Sequence, residues 1–237
     1  MAIETGTSSS ARAGQPAPIL IPWEQVQTVF LDMDGTLLDL HFDNHFWLEH
    51  LPRRLAEHKA ISVQQAEAWV SGHCANIEGT LDWYCLDYWE RYLGMDMVAL
   101  KHEVADRIAV RAHVDQFLVY LHQLGKRVVL LTNAHQKSVG LKFGYVNLER
   151  YFDQVITSHT LGVAKEHEDF WSRLAGIEVF DPAHSLFIDD NLQVLRTAKN
   201  HGVKYLLAVR EPDSRLPPKD TGEFIAVSCY TQLMDGI

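Results

Sequence analysis

The sequence predicts an α/β protein built on a parallel sheet, with a helical segment inserted after the first strand. Three observations carry this expectation. Short apolar runs recur along the chain and end in polar residues, helix-like or mixed segments precede the later runs, and no strand-like run occurs between about Leu40 and Arg111. Alternating strand and helix signals are the pattern of parallel strands joined by crossover helices. Continuous Val, Leu and Ile runs indicate strands buried on both faces.

The first predicted strand runs from Val26 to Leu31 and ends at Asp32. Val128 to Leu131 ends at Thr132 and Asn133, and Ser185 to Ile188 ends at Asp189 and Asp190. Val155-Ile156 and Tyr205 to Val209 are the other two candidates. Ligands of parallel sheets bind beyond the carboxyl ends of the strands, which is where these polar pairs fall. In the insertion, Phe42, Phe46 and Leu48, then Trp69, Val70, Leu86, Trp89 and Leu93, recur at helical spacing. Ser62 with Gln65 three residues later reads as a capping box, and Gly94 as the stop of a helix ending at Leu93. The expected organisation is a disordered tail over residues 1–18, a core over 19–39 and 112–237, and a helical insertion over 40–111.

A chain of 237 residues is long enough for such a core and a smaller inserted domain. A formal net charge of -10 argues against nucleic acid as the main partner, since sequence-independent binding needs a cationic face. It leaves room for a small phosphorylated substrate held by local cations. No apolar run approaches a membrane span, so no membrane partner is expected. Cys74, Cys85 and Cys229, odd in number and widely spaced, read as free buried thiols in a reducing compartment. The tail is rich in Ala, Gly, Ser and Pro and lacks the apolar segment of a secretory signal, so a cytoplasmic protein is expected.

The strongest chemical feature is Asp32-Met33-Asp34-Gly35-Thr36, directly after an apolar run. Two acids two residues apart face one substrate if the backbone stays extended, and Gly35 permits a sharp departure. Phosphoryl transfer needs an in-line nucleophile, a proton donor at the leaving oxygen, and cations to offset charge. Asp32 can supply the first and Asp34 the second. Thr132 and Asn133 offer a hydroxyl and an amide that can donate to phosphate oxygens. Lys165, after the loop Thr160 to Ala164, is the cation available to compensate Asp32 and a phosphate. Asp189 and Asp190 add two acids at a strand end, a costly arrangement unless something positive lies between them. Mg²⁺, bound by a few carboxylates together with substrate phosphate, is the expected ion.

These four motifs, in this order, resemble the haloacid-dehalogenase superfamily over about Val26 to Val209. The resemblance implies a Rossmann-like core with an α-helical cap inserted after the first motif. It implies Asp32 as nucleophile and metal ligand, and Asp34 as acid/base and metal ligand through its carbonyl. Thr132 and Lys165 would stabilise phosphate and nucleophile, and Asp189 and Asp190 would stand at the metal, with Asp190 favoured as the direct ligand. Leu31 to Leu40, Phe42-Asp43-Asn44, Phe46-Trp47, Leu81 to Trp89 and Leu131 to His135 look like the bacterial GMP/IMP nucleotidase group. That implies hydrolysis of purine 5′-monophosphates.

A phosphatase for another small ester, such as a sugar phosphate, shares every motif, and a non-catalytic phosphate-dependent binding module shares the fold. A dehalogenase has no leaving oxygen for Asp34 to protonate. Among Trp83, Tyr84, Tyr88 and Trp89, core packing is the expected role for most, with one lining the cleft. His41 and His45 have one-turn spacing but lack the adjacent Glu of a zinc-protease motif, so they read as ordinary histidines. The role of His135, just past Thr132 and Asn133, stays open, as does the oligomeric state.

Overall fold

The computed structural model describes residues 17–234, so residues 1–16 of the expected tail lie outside the described residues. Six strands form one sheet: β1 (Thr28–Leu31), β2 (Arg127–Thr132), β3 (Gln154–Thr157), β4 (Ser185–Asp189), β5 (Tyr205–Val209) and β6 (Ile225–Val227). Their order is β3-β2-β1-β4-β5-β6, and every pairing is parallel. All five runs read from the sequence are strands. The sixth is a three-residue edge strand, too short to stand out from its polar flanks.

The insertion after β1 holds six helices, α1 (His41–His45), α2 (Leu51–Lys59), α3 (Val63–Ile77), α4 (Leu81–Tyr84), α5 (Leu86–Leu93) and α6 (Met97–His102). A wide π-type turn over Phe46–His50 joins the first two. The Ser62 hydroxyl accepts from Gln65 N and the Gln65 side chain accepts from Ser62 N, completing the expected capping box. Gly94 ends α5 at φ 71°, in the left-handed region that glycine adopts freely. These helices bury their own core around Phe42, Phe46, Leu55, Val70, Trp89 and Leu93. Leu48 and Trp69 are exposed at 68% and 41%. Leu48 is two residues past buried Phe46 on a helical turn and so points away from it. Trp69 lies outside, its indole N–H donating to the Tyr92 hydroxyl at 2.7 Å.

The helices after the insertion are α7 (Val114–Gln123), α8 (Gln136–Tyr145), α9 (Ser158–Leu161), α10 (Phe170–Leu174) and α11 (Leu192–Asn200). Strand residues alternate between two cores. Val29, Leu31, Val128, Leu130, Leu186 and Ile188 meet Phe117 and Leu121 of α7 on one side. Phe30, Val129, Leu131 and Phe187 meet α10 and α11 through Trp171 and Leu195 on the other. Each fully buried Leu or Phe contributes about 1.5–3 kcal/mol, so the sheet is a rigid platform for what its strand ends carry. The chain runs outward from β1 to β2 and β3, then returns to lay β4 on the other side of β1. A crevice opens at such a reversal, at the carboxyl ends of β1 and β4.

No helix of the described residues is long and apolar enough to cross a membrane. All three cysteines are free, and they are partly rather than fully buried. The burial expected of them is relaxed because all three lie in connecting segments or on the inserted helices.

Candidate active site

Asp32 is the first residue past β1, and its N–H donates to the Ile188 carbonyl at 3.0 Å, extending the ladder by one step. The backbone then turns instead of staying extended. Gly35 adopts φ +84° and donates to the Leu38 carbonyl at 2.8 Å. A Cβ on Gly35 would stand 2.9 Å from Asp190 Cγ, so glycine is required by both conformation and space. Despite the turn, Asp32 and Asp34 line the same cleft, which has a volume of about 750 Å³.

Lys165 is buried, with Nζ 2.6 Å from Asp32 Oδ1 and 2.7 Å from Asp189 Oδ2. Burial alone would lower its pKa; the Asp189 and Asp32 charges outweigh burial and raise it, so the ammonium stays charged. Asp189 Oδ1 accepts from Asn191 N at 2.8 Å, so both of its oxygens are engaged. Asp190 Oδ2 accepts from Lys219 at 3.2 Å. Asp32 Oδ2 is buried with no hydrogen-bond partner among the described residues.

Carboxylate oxygens of Asp32, Asp189 and Asp190 lie within 4.8 Å of one another. Burial raises the Asp189 carboxyl well above the usual range; Lys165 opposes this, and Asp32 and Asp190 add to it. Asp190 is raised by burial and by Asp32. Three hard oxygen donors with one orphaned oxygen fit a divalent cation of the Mg²⁺ kind.

Thr132, the last residue of β2, accepts from Ala134 N at 3.0 Å through its hydroxyl oxygen, which leaves the O–H to donate toward the cleft. The Asn133 amide is spent on the protein: Nδ2 donates to Glu166 at 2.9 Å, and Oδ1 accepts from Lys165 N at 2.8 Å. Glu166 also accepts from the Tyr84 hydroxyl at 2.6 Å and from Asn191 at 3.2 Å. It therefore ties the inserted helices to three strand-end loops. Burial and the Glu166 carboxylate push the Tyr84 phenol up, so it donates as a neutral hydroxyl.

A second ionic chain crosses from sheet to insertion. Lys142 of α8 places Nζ 2.6 Å from both Asp34 and Asp43, and Lys101 of α6 reaches Asp43 at 2.9 Å. Burial, opposed by Lys142 and reinforced by Asp43 and Asp32, raises the Asp34 carboxyl to about 7. Burial would also raise Asp43, but Lys101 and Lys142 together hold it at about 2.

Sequence reasoning missed Lys142, Asp43, Lys101, Glu166 and Lys219. Glu166 had the one local signal, adjacency to Lys165; a helix lysine such as Lys142 reads as a solvated charge until the fold brings its acids to it. Of the four aromatic residues weighed, Trp83 and Tyr84 wall the cleft together with Trp47. Trp89 is buried, and Tyr88 stacks on His73. His135 caps the N-terminus of α8, lines the cleft and is 3% exposed. His41 and His45 lie near carboxylates of their own, Asp213 at 3.8 Å and Glu49 at 3.3 Å, and belong to no metal-ligating cluster among the described residues.

A strand-end Asp held by a buried Lys, beside a pair of acids on the adjacent strand, defines a class that comparison with known proteins identifies. Residues 26–202 match the haloacid dehalogenase-like hydrolase family, and the chain belongs to it. It is therefore an enzyme of the hydrolase class. Among individual relatives, it is 36% identical over 219 residues to the GMP/IMP nucleotidase YrfG of Escherichia coli, covering 92% of this chain and 99% of that one. It is 25% identical over 197 residues to a phosphoglycolate phosphatase of Pseudomonas fluorescens, covering 78% of this chain and 70% of that one. Among solved structures, the fold matches a phosphatase of the family from Thermococcus onnurineus with a TM-score of 0.69 at 19% identity, covering 87% of this chain and 95% of that one. It also matches L-2-haloacid dehalogenase of Xanthobacter autotrophicus with a TM-score of 0.53 at 18% identity, over 78% of each chain.

Proposed function

We propose that this hydrolase is a Mg²⁺-dependent phosphomonoesterase that works through an aspartyl-phosphate on Asp32 and releases phosphate from purine nucleoside 5′-monophosphates such as GMP and IMP. The observation that carries the reading is the state of Asp32: one oxygen tethered to Lys165, the other buried and unpartnered among the described residues. A carboxylate fixed by one oxygen presents the other as a positioned nucleophile.

In the first half-reaction Asp32 Oδ2 attacks phosphorus, and Asp34 gives its proton to the departing ribose 5′-oxygen. In the second, Asp34 takes a proton from a water that attacks the same phosphorus and frees Asp32. Lys165 offsets charge on Asp32 and the phosphoryl group, and the Thr132 hydroxyl donates to a phosphoryl oxygen. Mg²⁺, when bound, would be held by Asp32, Asp190 and the Asp34 carbonyl with Asp189 behind them, and supplies positive charge to the phosphoryl oxygens. Asp190 is the better direct ligand, because both Asp189 oxygens already have protein partners. Asn133 acts by positioning Lys165 and Glu166. We take residues 40–111 as the cap that covers the cleft, excludes bulk water and selects the substrate.

The purine preference rests on the identity to the Escherichia coli nucleotidase and on the Trp47, Trp83 and Tyr84 wall. Aromatic stacking on a base is worth about 1–3 kcal/mol. A cytoplasmic setting accords with the three free thiols. The test is phosphate release from a panel of nucleoside monophosphates, sugar phosphates and phosphoglycolate, with Mg²⁺ or with EDTA. Release that is metal-dependent and fastest from GMP and IMP is expected. Metal-dependent release from sugar phosphates or phosphoglycolate alone would keep the chemistry and remove the nucleotide assignment, and no release from any ester would favour a binding module.

A further inference from the structure

A second cluster of metal-ligating side chains lies beside the cleft and is chemically unlike the first. Cys85 sits in the link between α4 and α5, His135 at the start of α8 past β2, and His159 in α9 past β3. One ligand atom from each lies within 4.8 Å of the others. The two imidazoles meet edge to face, with centroids 4.8 Å apart and planes at 88°. Both ring nitrogens of His159 are buried without a well-formed hydrogen bond among the described residues, and the Leu81 backbone lies beside the ring. Polar groups hidden in this way ordinarily have a partner, and packing alone would be served by Phe or Leu.

We propose that Cys85, His135 and His159 form a site for a thiophilic divalent metal ion of the Zn²⁺ kind, which fastens the inserted helices to the sheet. One thiolate and two imidazoles are three protein ligands of a tetrahedral ion with a fourth position open. Asp87, 3.7 Å from His135 Nε2, is placed to fill that position directly or through water. Zn²⁺ bond lengths put tetrahedral ligand atoms roughly 3.3–3.7 Å apart, so the three atoms need draw in by no more than about 1–1.5 Å. Side-chain rotation at Cys85 and His159, both only partly buried, allows this. As the sulfur–metal bond forms, the Cys85 thiol releases its proton to solvent. The second nitrogen of His159 then faces the Leu81 backbone, the outer-shell arrangement common for metal-bound histidine. The all-carboxylate set at Asp32 selects hard Mg²⁺, whereas sulfur and imidazole select Zn²⁺ or Co²⁺, so the two ions sort between the sites. Cys85 is flanked by Tyr84 and Leu86, which wall the cleft, so an ion here fixes the position of that wall.

The test is a Co²⁺ titration of the full-length chain, first stripped with EDTA and then supplied with excess Mg²⁺ to fill the carboxylate site. One Co²⁺ per chain is expected, with thiolate-to-cobalt charge-transfer absorption that Zn²⁺ abolishes on displacement. Cys85→Ser should remove that absorption, Cys74→Ser should retain it, and His159→Gln should weaken Co²⁺ binding by about tenfold or more. In the unsubstituted protein, Zn²⁺ should slow alkylation of Cys85 by iodoacetamide, a readout independent of whether any variant folds. Co²⁺ binding without thiolate absorption, absorption that survives Cys85→Ser, or alkylation unaffected by Zn²⁺ would each overturn the site.

Discussion

The Nζ of Lys142 lies 2.6 Å from Asp34 Oδ1, so the residue proposed as acid and base, in the turn after β1, is held by a cation from α8. Lys142 opposes the burial that raises Asp34, so its loss raises that carboxyl further above about 7. Lys142→Met is expected to move the alkaline limb of kcat/KM to higher pH, because Asp34 keeps its proton for the leaving oxygen over a wider range. A pH profile of GMP hydrolysis measures this, and an unmoved limb would separate Asp34 from the proton transfer.

Asp43 sits between Lys142 and Lys101 and forms an ion pair with each of these buried ammonium groups. Asp43→Asn leaves Lys101 unpaired and should destabilise the fold by about 3–5 kcal/mol. The Asp43 pKa falls from 3.8 to about 2 on folding, so its contribution is complete above pH 4 and is lost as pH drops toward 2. Urea midpoints of the two proteins should therefore differ most at neutral pH and converge in acid.

Asp32→Asn should abolish turnover while the protein still melts cooperatively, since Lys165 keeps Asp189 as a partner. Asp34→Asn should slow turnover by about 10²–10⁴-fold, the usual worth of a positioned acid or base. Phosphate-release kinetics separate the two, and near-normal turnover in Asp32→Asn would mean that another group attacks.

Gly35→Ala forces a side chain toward Asp190 at a backbone angle few residues adopt. The left-handed conformation alone costs about 1–2 kcal/mol, and displacement of Asp190 should weaken the metal. A higher Mg²⁺ concentration for half-maximal activity, seen in a Mg²⁺ titration, is the expected result.

The parts of this protein that a sequence reveals are those whose signal is local. Five strands showed as apolar runs because each is largely buried, and Asp32, Asp34, Lys165, Asp189 and Asp190 were legible as candidates because each lies at a strand end or in the loop beyond it. Ser62 and Gly94 carried helix boundaries in the residue itself. The chain Asp34–Lys142–Asp43–Lys101 stayed hidden because its links join residues 108, 99 and 58 positions apart, and each residue alone resembles a surface charge. The Asn133 amide was read as free for phosphate because its Glu166 partner lies 33 residues away. Strand order was equally invisible: no local feature states that β4 returns to the far side of β1.

That return governs when the machinery comes into being. Asp32 is translated early, yet Lys165 lies 133 residues downstream and Asp189 beyond it on β4. A nascent chain still short of β4 carries the proposed nucleophile without Asp189 and Asp190 beside it and with no paired edge on that side of β1. On the proposed mechanism turnover therefore waits for β4, and N-terminal fragments ending before it should be inactive however well their helices form.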